Sequence, residues 1–110
     1  MDLLWANPDP TKSFAAQTIS VDLTNYNLIL FVSIGYASAP PQILTYIFGK
    51  NTDALRLFFV SDSSTSNMNL SYRQVTCNVT SITFGQGTAG AGTTDNLRCV
   101  PYQIYGIRGI

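Results

Sequence analysis

Residues 15–36, AAQTISVDLTNYNLILFVSIGY, constrain this chain more than any other stretch. From 17 to 23 the side chains alternate, Ile19, Val21 and Leu23 on one face and Thr18, Ser20 and Asp22 on the other. That is the period-two pattern of a half-buried strand. Residues 24–27, TNYN, are turn chemistry, and residues 28–34, LILFVSI, are apolar at nearly every position. A run of that kind belongs to a strand covered on both faces. The plain reading is a central sandwich strand. The sharper one closes its second face with another copy of the chain.

The remainder repeats the β pattern. Leu3, Leu4 and Trp5 form a short strand, and residues 6–10, ANPDP, carry two prolines that exclude a helix. Residues 37–41, ASAPP, make a loop whose prolines donate no ladder hydrogen bonds. Residues 43–48, ILTYIF, and 55–60, LRLFFV, are strands joined by a polar turn at 49–53. In the second of them Leu55, Leu57 and Phe59 share the core face, and Arg56, Phe58 and Val60 the other. Residues 61–69, SDSSTSNMN, read as a polar loop that cannot pack a core. Residues 70–79 alternate again, with Arg73, Val75, Cys77 and Val79 opposite Tyr72, Gln74, Thr76 and Asn78. Residues 81–84 make a further strand and 85–96, GQGTAGAGTTDN, a flexible hairpin tip. The last strand, 99–107, contains Pro101, which places it at an edge or a bulge. Seven or eight strands, spaced by about 8 to 12 residues, predict one all-β domain over residues 1–110: an antiparallel β-sandwich, jelly-roll-like.

Charge narrows the partners. Charged residues are 11% of the chain, against about 25% in a typical domain. The surface is therefore covered by Ser, Thr, Asn, Gln and Gly, which suits subunit contacts, fibrous assemblies and sugar-binding faces. Six basic and six acidic residues give net charge zero, and every acid is Asp. Lys12, Lys50, Arg56, Arg73, Arg98 and Arg108 are scattered singly and read as solvated or paired surface charges. With no basic patch, there is no electrostatic footprint for nucleic acid. No run of 18 apolar residues occurs, so no membrane-spanning helix is expected. The start, MDLLW, carries no secretory signal, which indicates synthesis and folding in a cytoplasm. In that reducing compartment Cys77 and Cys99 are expected as two buried thiols rather than a disulfide.

The sequence holds no His, which excludes Ser-His-Asp and Cys-His catalysis and leaves metal ligation poorly supported. No cofactor is expected. Asp22, Asp53, Asp62 and Asp95 at turns and strand ends leave a carboxylate-pair glycan hydrolase formally open, yet turn aspartates ordinarily bond the local backbone. Asp62 and Asp95 lack the spacing of a calcium loop, and residues 85–96 lack the Gly-Lys-Ser/Thr of a phosphate loop. The reading is therefore non-enzymatic. Six Tyr, six Phe and one Trp are more informative, because a tyrosine ring with a polar tip grips sugars and anchors partner surfaces. Tyr36, before the proline loop, and Tyr72, after the serine-rich one, are the tyrosines expected to be exposed.

Two pieces of the chain also look familiar together. Residues 4–23, LWANPDPTKSFAAQTISVDL, and 100–109, VPYQIYGIRG, resemble modules in tail, fibre and other minor structural proteins of phages and prophages of Gram-positive bacteria. Residues 81–87, SITFGQG, resemble the strand-and-glycine element placed before the same ending, while residues 36–75 have no match in that pattern. The resemblance implies a virion component, made in the bacterial host cytoplasm, at the end of a fibre or spike, homotrimeric and engaged in attachment to the host surface. It implies no catalytic residues. The resembled module ordinarily follows a longer polypeptide, whereas Met1 stands just before it here, which fits either an excised domain or a small head decoration or fibre cap.

These readings converge on a trimeric β-sandwich that contacts other virion proteins and binds a host cell-surface carbohydrate. Tyr36, Asp62, Asn67, Asn69 and Tyr72 are the expected receptor-binding residues. The rival expectation is an architectural capsid or tail decoration protein that binds no receptor.

Overall fold

The computed structural model describes residues 1–37, 40–41, 43–48, 55–64, 67–90 and 92–108, with the backbone alone described over residues 60–64 and 67–69. The turn expected at 49–53 lies outside the described residues. Among the described residues there are eight strands: β1 (Asp2–Ala6), β2 (Gln17–Ser20), β3 (Leu28–Tyr36), β4 (Ile43–Phe48), β5 (Leu55–Ser64), β6 (Asn67–Asn78), β7 (Ser81–Thr88) and β8 (Arg98–Ile107). They form two antiparallel four-stranded sheets, ordered β1-β8-β3-β4 and β2-β7-β6-β5, which pack face to face as a β-sandwich. The first two strands lie beside the last two, β1 on β8 and β2 on β7, as in a chain rolled from both ends. The four middle strands enter as the hairpins β3–β4 and β5–β6.

Alternation in the sequence becomes inside and outside in the fold. Val21 and Leu23 are buried while Thr18, Ser20 and Asp22 are exposed. Regular pairing in β2 ends at Ser20, but the edge continues through Val21 N–H to Thr80 O at 3.2 Å and Leu23 N–H to Val79 O at 2.7 Å. Ile29, Phe31, Leu57, Val75, Ile82, Phe84, Val100 and Ile104 fill the space between the sheets. Trp5 closes one end, its ring 5.9 Å from Phe14 and 6.0 Å from Phe84. Pro101 sits at a bulge, where the β3–β8 register shifts between Val32 and Ser33. Cys77 and Cys99 are buried thiols with no disulfide between them.

Three expectations need correction. Residues 61–64 and 67–69 are not a loop: β5 runs to Ser64 and β6 starts at Asn67, with Ser61 opposite Asn69 and Asp62 opposite Met68. Strand pairing is made by the backbone, and polar composition does not report on it. Residues 85–88 belong to β7, and Gly87 is glycine because a Cβ there would strike the carbonyl oxygens of Asp95 and Arg98 and the Arg73 guanidinium. Leu55 is exposed at the start of β5, although Leu57 is fully buried and Phe59 packs on the core.

Candidate functional site

Sheet geometry fixes which side chains share a surface, because directly paired residues project from the same face. On β3, Leu28, Leu30 and Val32 pair with Phe48, Tyr46 and Leu44 of β4 and with Ile107, Tyr105 and Gln103 of β8, and Tyr105 pairs with Leu3 of β1. These residues form the outward face of the first sheet, and none of them is charged. Leu28 and Leu30 are themselves buried, being flanked on both sides by their large neighbours. The second face of β3 is thus covered within the chain, and its apolar surface reappears one strand further out. Phe48 is 70% exposed, Leu44 62%, Tyr46 55% and Leu3 53%. Among the described residues Tyr105 Oη donates to Gln103 Oε1 at 2.7 Å, so even the polar groups here partly satisfy each other.

The outward face of the second sheet is built from different chemistry. Thr18, Thr83 and Thr76 form a row across β2, β7 and β6, with Thr18 Oγ1 and Thr83 Oγ1 2.9 Å apart, and Ser20, Ser81 and Asn78 form the next. Further along, Arg56 pairs with Gln74 and Phe58 with Tyr72 across β5 and β6. The Phe58 and Tyr72 ring centroids are 6.3 Å apart at 51°, and the Arg56 guanidinium lies 4.5 Å over the Tyr72 ring. No pocket indents the described surface.

The expected binding residues are divided between these surroundings. Tyr72 belongs to the second face, half-buried by Phe58 and Arg56. Tyr36 is exposed at the end of β3 in the other sheet, with the Arg98 guanidinium 4.8 Å over its ring. Asp62, Asn67 and Asn69 have paired backbones near the end of the β5–β6 ribbon, and their side chains lie outside the described residues. The structure therefore joins Tyr72 to Arg56, Phe58 and Gln74 and does not join it to Tyr36. Tyr46 was the tyrosine missed. The signal for it was present in residues 43–48, where Leu44, Tyr46 and Phe48 form a second apolar set beside Ile43 and Ile47.

Arg73 overturns the reading of every cation as a surface charge. It is fully buried, and its guanidinium makes five hydrogen bonds, all to backbone carbonyls: Cys99 O at 3.0 Å, Phe14 O at 2.8 Å, Gly85 O at 2.7 Å, Asn96 O at 3.2 Å and Arg98 O at 3.0 Å. Consecutive carbonyls of a strand point to opposite sides, yet Arg98 and Cys99 both accept from this one group. The left-handed backbone at Cys99, φ 46°, turns them the same way. Burial pushes the Arg73 pKa down to about 10 and the Cys99 thiol up to about 11. Arg73 ties together the segment before β2, β7 and the start of β8, which holds the framework under the second face. Its shared parity with Val75 and Cys77 was the sequence sign of its burial.

No family model, curated protein or solved structure matches this chain.

Proposed function

We propose that this protein is a non-enzymatic structural module of a phage virion, a homotrimer assembled through the outward face of the β1-β8-β3-β4 sheet and attaching to host cell-surface carbohydrate. The observation that carries the assembly is the chargeless apolar surface of Leu3, Leu44, Tyr46 and Phe48. Interface cores are depleted of charge and enriched in aromatics, and contiguous exposed apolar patches on soluble proteins mark contact sites. A second copy is the occupant that fits, since this uncharged face can meet the equally uncharged β4 of a neighbour without repulsion. Four strands about 4.8 Å apart give a face about 19 Å wide, and nine residues of β3 at about 3.4 Å each make it about 30 Å long, so its area of roughly 570 Å² is less than the roughly 800 Å² per partner of a standard interface. A closed trimer supplies the remainder, because each copy then meets its two neighbours with different patches. The β4 edge beside Phe48, which pairs with no further strand among the described residues, is the second patch.

The virion context rests on the resemblance of the two ends of the chain. Trimerisation raises the effective affinity for a repeated surface sugar without new contacts.

Light scattering over a hundredfold concentration range tests the assembly. A stable mass three times 12.0 kDa is expected, and the double variant Leu44→Lys, Phe48→Lys should run as a monomer with an unchanged circular dichroism spectrum. A stable dimer would replace the trimer by a two-fold pair on the same face. A monomer at every concentration would sink the reading in favour of docking onto another virion protein.

A further inference from the structure

We propose that the outward face of the β2-β7-β6-β5 sheet is the carbohydrate site, and that its ligand is an acidic polysaccharide lying along β6. This rests on the attachment reading above and gives it a place and a substrate class. Tyr72, Gln74 and Thr76 project in a line from one strand, with Arg56 and Phe58 beside them on β5 and Thr83 on β7. From Tyr72 to Asn78 the row extends roughly 20 Å at about 3.4 Å per residue, which spans several sugar rings.

The chemistry selects the occupant. A small ligand requires a concave pocket, and this face has none, whereas an extended chain needs only a flat track. The exposed Phe58 ring and the Tyr72 ring beside it offer apolar planes to the C–H faces of a sugar. Gln74, Thr76 and Thr83 exchange hydrogen bonds with hydroxyls, and none of the three is a carboxylate that would have to be desolvated. A protein partner would look for a dry aliphatic centre, which Thr, Ser, Gln and Asn do not provide. Nucleic acid would need a row of cations, and among the described residues this face carries one.

That one cation sets the charge of the ligand. Among the described residues Arg56 forms no ion pair, and Tyr72 holds its guanidinium by stacking, which leaves the N–H edge for an anion. Asp22 stands beyond the end of β2 and accepts from the Thr24 backbone and hydroxyl, and Asp62, paired with Met68, lies further along β5 from Arg56, roughly 20 Å away at about 3.4 Å per residue. A uronate or other anionic substituent is thus drawn to Arg56, the cation beside the two rings.

Native affinity electrophoresis at low salt tests this with three probes: polygalacturonate, alginate, and methyl-esterified polygalacturonate, whose backbone is the same but whose carboxylates are blocked. The full chain should be retarded by both acidic polymers and less by the ester. Phe58→Thr with Tyr72→Thr, both outward positions, should weaken retardation about tenfold or more, as removal of anchoring aromatics does. Arg56→Gln should abolish the preference for acid over ester. Absence of retardation in both acidic gels overturns the proposal, as does equal retardation by acid and ester or indifference to the aromatic substitutions. Light scattering on the same samples separates the two readings. Assembly without retardation removes the glycan site alone, and retardation of a monomer removes the trimer alone.

Discussion

The outward row Phe48, Leu28 and Ile107 of the first sheet presents no side-chain polar atom, while the row Thr18, Thr83 and Thr76 of the second is bridged by a hydroxyl pair at 2.9 Å. The insides are contrasted as well. Facing the core, the first sheet buries one hydroxyl, Ser33, which has no hydrogen-bond partner among the described residues. The second buries a whole guanidinium, Arg73, with five. A sheet that is apolar on both sides gains stability from packing, tolerates an orphan polar group poorly and invites company. A sheet with one wet face is finished as a surface, and its polar interior holds because every donor is satisfied.

The largest break in this contrast is at Arg73. Arg73→Met keeps the volume and strands five carbonyl contacts, so it should destabilise the fold by about 3–5 kcal/mol, read by urea denaturation. Arg73→Lys should recover only part of that, because a point charge with three donors cannot span five acceptors.

A smaller effect appears in alkali. The Cys99 thiol is held at about 11, above its ordinary value of 9.0, so the native state keeps a proton that the unfolded chain releases. Its contribution is complete below pH 9 and lost as the pH rises through about 11. Arg73, lowered to about 10, acts in the opposite sense above that pH. The informative quantity is the difference in stability between wild type and Cys99→Ala, which should shrink from pH 9 to 11; a constant difference would contradict the assignment.

The smallest change sharpens the contrast from the apolar side. Ser33→Ala removes an unpaired buried hydroxyl and should raise stability by about 1 kcal/mol, measured by the same urea midpoint. A loss instead would mean that the hydroxyl is satisfied in solution.

Most of the fold was legible because it is written in alternation. The strands containing Ile19, Val21, Val75, Cys77, Ile82 and Phe84 read directly as inside and outside. What did not read were features with no period. The ribbon at 61–64 and 67–69 is strand because its backbone pairs, and serine-rich composition is silent on pairing. Arg73 was misread because a charged residue is assigned to water by type, although its position in the alternation assigned it to the core. The two candidate faces were half legible. Arg56 and Phe58 were placed opposite the core set, but only pairing in space sets Tyr72 beside them, and Tyr36 falls in the other sheet because its partner is Arg98 of β8.

The neighbours of β3 have a consequence for the timing of folding. This nearly all-apolar strand pairs with β4 on one side and with β8, the last of the eight to be synthesised, on the other. As the ribosome extends the chain, β3 can acquire its hairpin partner early but must wait for β8 to cover its second edge. The first sheet therefore closes only after synthesis has passed Ile107, and loop closure over most of the chain makes that step slow. Until then an apolar edge stands open on every nascent copy, so crowded synthesis is when self-association of the wrong kind competes with the native fold.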